Sequence, residues 1–537
     1  MQFVVLLIAG WAQSVSLAWP FNAEIPVLGI LHGQALWWLQ ILAMAVFAQS
    51  LLNADSAKQA AWCSWVFSTA WLCGGIWWLF ISMNTYGGLA PWLAAFAVLL
   101  LSGCMALFYV LFLTLFKRIF RPIAGVNTAY TAIVFAACWM LAELARGTWL
   151  TGFPWGAIGY AHLDGPLAGL APYVGVYGMS FVAAYAAVLL LQLLKSVLRK
   201  PDNPVIFQSV AVAALLLVLP KLAVYGLPAE ADNAAPMQVT LLQGNIPQNE
   251  KFQAGSGVVT ALSWYAEQLE KVQTGLVITP ETAIPLLPHN LPPEYWAKLQ
   301  QPFKAQSKEG SSQKAALVGI PMGSRTEGFS NSVIGFKPTP LTLTAPYQYN
   351  KDHLVPFGEF IPPFAQWFID LMNIPLGAFK RGGSQQAPFV WQGQRLGLNI
   401  CYEDLFGEEL AGRFANPATA PTILVNLTNI AWFGNTVAID QHLNIARLRS
   451  MELAKPSIRA TNTGATVIID AQGTVTHALE RHTRGVLVGQ VWGNTVITPY
   501  VWWVARFWLW PLWLLGAAVV TAAALQARKT KTRLLHL

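Results

Sequence analysis

Charge is scarce in this chain. Asp, Glu, Lys and Arg make up 11% of its 537 residues, against roughly 25% in an ordinary soluble domain. A surface that poor in charge cannot face water everywhere, so a wholly soluble protein is excluded. The shortage is uneven, because residues 1–222 hold only 14 of the 58 charged residues. Cysteine is scarce too. Cys63, Cys73, Cys104 and Cys138 fall in apolar runs, where Cys is a small buried hydrophobe, and Cys401 stands alone outside them. A lone cysteine excludes a disulfide framework for its part of the chain and leaves a passenger or a working thiol. No positive charge precedes the first apolar run, which argues for a membrane span rather than a signal peptide. Internal repeats, long low-complexity tracts and metal-ligand clusters are absent, and no metal or cofactor is expected. The net charge of +8 does not point to nucleic acid, because the basic residues gather at the ends of apolar segments.

Long apolar runs are present instead. A hydrocarbon core about 30 Å thick needs ~20 apolar residues in a helix. Stretches near 1–18, 31–52, 60–82, 91–116, 123–146, 173–194 and 205–221 meet that need, and an eighth runs from 503 to 526. Lys58, Lys117, Arg118, Arg121, Lys195, Arg199 and Lys200 fall in alternate loops, and Arg528, Lys529, Lys531 and Arg533 follow the last run. The opposite loops hold no Lys or Arg. Positive residues stay cytoplasmic, so both termini are expected inside and the segment between runs seven and eight outside. Trp502, Trp503, Trp508, Trp510 and Trp513 mark the interface where the last run begins. Glu143 and Arg146, a turn apart near a span end, are expected to form a structural ion pair rather than a headgroup site.

The chain therefore divides into a membrane domain over 1–222, an extracytoplasmic domain over 225–502, and a last helix with a basic tail over 503–537. The middle part alternates β-rich runs such as MQVTLLQGNI, GLVITPETAI, RLGLNICYED and TILVNLTN with helical patterns. Residues 441–454 read as a helix with Leu443, Ala446, Leu448 and Leu453 toward a core. A layered α/β domain follows.

Cys401 ends the apolar strand Leu396–Ile400 and is followed at once by Tyr402, Glu403 and Asp404. A thiol at a strand end before a turn is expected to be exposed, with N–H groups near enough to stabilise its anion. Such a nucleophile needs a base. His353 and His442 are available, but neither sits in a paired motif. Glu281, at the end of the strand Leu276–Thr279, is the better base, since a carboxylate there is partly desolvated. Lys351 can supply positive charge to a developing oxyanion.

Glu281, Lys351 and Cys401, each in its own motif and in that order, resemble the carbon–nitrogen hydrolase (nitrilase) superfamily. That resemblance implies an α-β-β-α sandwich, with Glu as general base, Lys as transition-state stabiliser and Cys as nucleophile. A narrower likeness runs along nearly the whole chain. TGFPW (151–155), LDGPLAGLAP (163–172), QGNIPQ (243–248), YNKDHLVPFGEFIP (349–362), ICYEDLFGE (400–408), AWFGN (431–435) and RATNTG (459–464) are similar to the apolipoprotein N-acyltransferase family. In that family Glu359 and Glu403 would be second acidic residues of the site, and Tyr402 and Trp432 would shape the acyl and headgroup pocket. Glu359 and Glu403 also have a plainer reading, as partners of cations or helix caps. Phe252 and Ile430 depart from the family's usual Trp and Asp, which bears on substrate positioning more than on chemistry.

The resemblance implies a membrane phospholipid as acyl donor and a diacylglyceryl-modified apolipoprotein as acceptor, in the bacterial inner (cytoplasmic) membrane with the catalytic domain on the periplasmic side. Other readings are a membrane-tethered amidase acting on a small carbon–nitrogen substrate, a transporter with an accessory domain, and an inactive lipoprotein-binding homologue. The near absence of charge inside the runs argues against the transporter.

Overall fold

The apolar runs at the two ends of the chain form helices, as a medium without water to satisfy backbone groups demands. The computed structural model describes residues 1–25, 30–119, 128–199, 235–272, 275–303, 313–338, 346–362 and 379–535. Backbone contacts divide the chain into two units. One comprises Met1–Leu79, Pro91–Pro228 and Thr498–Leu537, and the other Phe80–Ala90 with Ala229–Ile497. The grouping of Phe80–Ala90 with the second unit has no counterpart in the sequence reading.

In the first unit, four described helices are long and apolar enough to cross a membrane: Pro91–Ile119, Ala129–Thr148, Ala168–Lys195 and Trp510–Lys529. A fifth span counts if Ala57–Ile76 is joined to Leu79–Tyr86 across a 61° bend. Eight spans were expected, and the difference has local causes. The expected run 60–82 is broken after Gly74 and Gly75, where Trp78 Nε1 donates to the Gly75 carbonyl at 3.0 Å and takes the acceptor that a continuing helix would use. Gln2–Ser16 and Trp37–Leu52 are apolar but only 15 and 16 residues long, about 22–24 Å at 1.5 Å per residue. The expected run 205–221 lies outside the described residues. The last run is two helices, Pro499–Phe507 and Trp510–Leu535, separated at Trp508, whose φ is +54°.

Small residues let these helices touch. A Cβ on Gly10 would fall 2.5 Å from the Phe67 carbonyl oxygen, so only glycine permits that approach. Phe47 stacks on Phe67 at 4.2 Å, and Trp71, Tyr109 and Trp139 pack edge-on or tilted within 5.6 Å of one another. Arg146 and Glu143 are both fully buried. Arg146 donates to the carbonyls of Phe153 and Trp155 and to the Tyr109 hydroxyl, and Glu143 accepts from Ile158 N at 2.9 Å and Trp139 Nε1 at 3.1 Å. Arg146 fastens the TGFPW loop and Glu143 the backbone of Ile158 just beyond it, while the two opposite charges act on each other as the sequence suggested.

Among its described residues, the second unit contains twelve strands. They are β1 Met237–Gln243, β2 Gly275–Ile278, β3 Lys314–Ser324, β4 Gly328–Phe336, β5 Tyr347–Asn350, β6 Phe389–Trp391, β7 Gln394–Ile400, β8 Ile423–Thr428, β9 Ser457–Thr461, β10 Val467–Ile469, β11 Val475–Ala478 and β12 Gly485–Val491. They form two six-stranded sheets, of order β12-β1-β2-β3-β4-β5 and β11-β10-β9-β8-β7-β6. β1, β2 and β3 run parallel, as do β7, β8 and β9.

Period-two alternation makes the layers. Leu241, Leu276, Ile278 and Leu317 join Leu398, Ile400, Val425 and Leu427 in one core between the sheets. Their neighbours Leu242, Val277, Ala316 and Val318 face outward onto the helix Gly257–Lys271. Helix Ala438–Leu453 covers the second sheet, with Ala446 against Val467 and Ile469. Each fully buried Leu or Val here stabilises the fold by about 1.5–3 kcal/mol. The expected α-β-β-α sandwich is the observed architecture, within the unit Ala229–Ile497. Parallel strands deliver their carboxyl ends to one side of a sheet, where sites of α/β folds collect.

Candidate active site

Glu281 follows β2 through Thr279 and Pro280, and the next residue, Thr282, takes a φ of +50°. The turn is pressed against β3 so closely that a Cβ on Gly319 would lie 2.2 Å from the Pro280 carbonyl oxygen. The Glu281 carboxylate is buried and held at both oxygens: Asn331 Nδ2 donates to Oε1 at 2.6 Å, and Asn429 N donates to Oε2 at 2.8 Å. Asn331 belongs to β4 and Asn429 follows β8, so one carboxylate joins the two sheets.

Lys351 leaves the end of β5 and is 1% exposed. Its Nζ lies 3.0 Å from Glu359 and 3.7 Å from Glu281 Oε1. Burial alone would lower its proton affinity, but the charges of Glu359 and then Glu281 outweigh burial and hold the ammonium above its usual range. Glu359 also accepts from Asn331 Nδ2 at 2.9 Å and Val355 N at 2.8 Å.

Cys401 ends β7 with a φ of +52°, a left-handed conformation costly for a residue with a Cβ. The strain turns the chain sharply into the short 3₁₀ segment Cys401–Leu405. The thiol is half-buried where exposure was expected. Its pKa is pushed up to about 12, by burial first and then by the Glu281 charge, with Lys351 opposing. The resting form is therefore the thiol, in keeping with the expectation that it needs a base. At neutral pH such a thiol stays protonated, so reaction requires a base that takes its proton.

The remaining predicted residues occupy different places. Glu403 is buried and turned back on the chain. It accepts from Ile400 N at 2.6 Å, Asp352 N at 2.8 Å, His353 N at 3.2 Å and the Tyr349 hydroxyl at 2.9 Å. This carboxylate ties the Cys401 turn to the Lys351 loop. Tyr402 is buried against Phe406, with ring centroids 5.3 Å apart. Trp432 is 40% exposed in the turn Ile430–Phe433 and meets Tyr86 edge-on at 5.8 Å. Ile430 is buried, and Phe252 is exposed.

Neither histidine stands as the base. His353 Nδ1 lies 2.8 Å from Glu409 and its ring stacks on Phe406 at 3.5 Å. His442 is held neutral by burial and by Arg459, whose Nη2 is 2.6 Å from His442 Nδ1.

Comparison with known proteins closes the argument. Residues 26–189 match the family profile described as apolipoprotein N-acyltransferase N-terminal domain, and residues 238–497 match carbon-nitrogen hydrolase. The apolipoprotein N-acyltransferase of Verminephrobacter eiseniae is 50% identical over 94% of this chain and 92% of its own. The chain belongs to the apolipoprotein N-acyltransferase family. The apolipoprotein N-acyltransferase of Ralstonia nicotianae is 40% identical over 94% of this chain and 93% of its own, and that of Bordetella bronchiseptica 40% identical over 90% and 91%. A tethered amidase would need no counterpart of the N-terminal domain, so full-length likeness to apolipoprotein N-acyltransferases favours acyl transfer over that alternative.

Several residues of the site escaped the sequence reading. Asn331 reads as an ordinary polar residue of an alternating strand. Asn429 carried a signal, since it directly precedes the Ile430 departure. Asp404 and Arg459 form a buried ion pair beside His442. Lys251 sits among the polar residues of QNEKFQ, yet it is 3% exposed.

Proposed function

We propose that this acyltransferase moves a fatty acyl chain from a membrane phospholipid to the α-amine of a diacylglyceryl-modified N-terminal cysteine, through a thioester on Cys401. The observation that carries the reading is the Cys401 thiol, strained at a strand end, half-buried and under the charges of Glu281 and Lys351. Glu281 takes the thiol proton, and sulfur attacks the ester carbonyl of the donor. Lys351, pinned by Glu359, faces the negative charge that develops on the carbonyl oxygen. The carbon–oxygen bond breaks, Glu281 returns the proton to the leaving lysophospholipid, and a thioester remains.

In the second half Glu281 takes one proton from the acceptor ammonium and the amine attacks the thioester. The carbon–sulfur bond breaks, the remaining surplus amine proton passes to sulfur, and Glu281 releases its own to solvent. The amide formed is more stable than the thioester consumed. Both substrates are lipid-anchored, which accounts for a hydrolase-like fold joined to membrane helices. On this reading the chain spans the inner membrane eight times, with the catalytic part periplasmic and both termini cytoplasmic, as the Lys and Arg of alternate loops require. Tyr402 and Trp432 border the lipid pocket, and Glu359 and Glu403 act by fixing Lys351 and the Cys401 turn.

Intact-mass measurement of the purified protein after exposure to a phospholipid of defined acyl chains tests this. An added acyl mass, mapped to the Cys401 peptide and absent from Cys401→Ala, is expected. Unmodified wild type that still acylates the acceptor would overturn it.

A further inference from the structure

Lys251 lies in the turn after β1, beyond the motif QGNIPQ. Its backbone N donates to the Pro247 carbonyl at 2.9 Å, which closes the turn. The turn is packed against the start of helix Gly257–Lys271, where a Cβ on Gly257 would fall 2.1 Å from the Glu250 carbonyl oxygen. Two further ties hold this segment to the reaction centre. Asn429 Nδ2 donates to Gln248 Oε1 at 2.9 Å, and Asn462 exchanges hydrogen bonds with the backbone of Ile246. The Lys251 side chain is thereby drawn inward, and its Nζ donates to the Glu281 carbonyl oxygen at 3.1 Å.

A buried lysine is costly unless its charge is used. The charged groups acting on Lys251 are Glu281 and Cys401, and each favours its ammonium form. Those acting on the Cys401 thiol include Glu281, Lys351, Glu359 and Arg459. Arg459 is committed to Asp404 and Lys351 to Glu359. Proton transfer from Cys401 to Glu281 moves a negative charge from carboxylate to sulfur, and among the described residues Lys251 is the cation that is not in an ion pair with another carboxylate and senses both ends of that path.

We propose that Lys251 is a positioning residue of the reaction centre, whose ammonium pins the strained turn carrying Glu281 and balances the negative charge that passes between Glu281 and Cys401. This deepens the proposed function and rests on Cys401 being the nucleophile. Burial brings the Lys251 ammonium down to about 8, against the pull of Glu281 and Cys401, so the balancing charge is present at pH 7 and lost by pH 10.

The test is the rate of iodoacetamide alkylation of Cys401 between pH 6.5 and 10, read on the Cys401 peptide by mass spectrometry in wild type, Lys251→Met and Lys251→Arg. A charge lost beside the thiol raises its pKa, and about one unit is a tenfold slower reaction at fixed pH. Wild type is expected to react about tenfold faster than K251M at pH 7, with the ratio closing toward one by pH 10. K251R, which keeps its charge, is expected to match wild type at pH 7 and to exceed it at pH 10. A ratio of wild type to K251M that does not change with pH marks a merely structural lysine and overturns the proposal, as does a ratio within twofold throughout. If K251M does not fold, K251R decides alone, since a profile parallel to wild type up to pH 10 overturns it. Alkylation needs no acyl transfer, so an absent acyl-enzyme in wild type strikes the proposed function, whereas a flat ratio strikes only Lys251.

Discussion

Asn331 Nδ2 donates to Glu281 Oε1 at 2.6 Å from a strand in the same sheet, and the same amide group reaches Glu359 at 2.9 Å. One side chain thus sets the separation of the two carboxylates that share Lys351. A hydrogen bond to a charged group contributes about 1.5–3 kcal/mol. Asn331→Ala is therefore expected to slow thioester formation by about 10- to 100-fold, and Asn331→Asp more, because it sets a third carboxylate among two. Single-turnover acylation at saturating phospholipid measures both.

Glu281→Gln separates the two effects of that carboxylate. Its charge raises the pKa of the Cys401 thiol, while in the proposed mechanism its oxygen takes the thiol proton. The substitution is expected to make Cys401 more reactive toward iodoacetamide at pH 9 and to abolish acylation by phospholipid. Slower alkylation together with lost acylation would contradict the assignment of Glu281 as the charge that keeps the thiol protonated.

Gly319→Ala needs no new charge to act. The added methyl would fall 2.2 Å from the Pro280 carbonyl oxygen, so the Glu281 turn must shift by an ångström or more. Acylation is expected to drop by at least about 100-fold, since small misplacements of a reacting group are that costly. The circular dichroism of the sheets should stay close to wild type.

Glu281 and Cys401 were legible as candidates because each ends an apolar strand, and Lys351 because its motif offers a cation; the fold brings the three side chains together. A layered α/β domain was legible from the residues alone, whereas the two-sheet sandwich came only with the family resemblance, because which strands share a sheet is set by long-range pairing. The direction of Glu403 was not legible. Its neighbour Cys401 suggests a reacting acid, but the backbone N–H groups of Ile400, Asp352 and His353 claim the carboxylate, and only the folded turn brings them together. Lys251 looks solvated in QNEKFQ, since nothing local shows that Gly257 folds the turn inward. The broken span at Gly74–Trp78 escaped a hydropathy reading because Trp78 is apolar by composition and acts through one indole N–H.

Lys455 gives a stability test away from the reaction. Its ε-amine is fully buried, and burial lowers its pKa to about 7, with Arg395 adding to the effect. Between pH 7 and about 10 the unfolded chain binds a proton that the folded chain does not, so folding is weakest near pH 7 and strengthens as pH rises through that window. Lys455→Met is expected to raise the unfolding temperature of the catalytic part at pH 7 more than at pH 9.5, and to flatten this part of the pH dependence. An equal shift at both values would contradict it.

The central claim is that the acyl chain rests on Cys401 between donor and acceptor. The most direct measurement isolates enzyme loaded with an isotope-labelled acyl chain, removes the phospholipid, and adds a peptide bearing an N-terminal diacylglyceryl cysteine. Label is predicted to leave the Cys401 peptide and reach the acceptor amine at the same rate. Label that stays on Cys401 while the acceptor remains unmodified, or an acceptor acylated only when phospholipid is restored, would contradict the account.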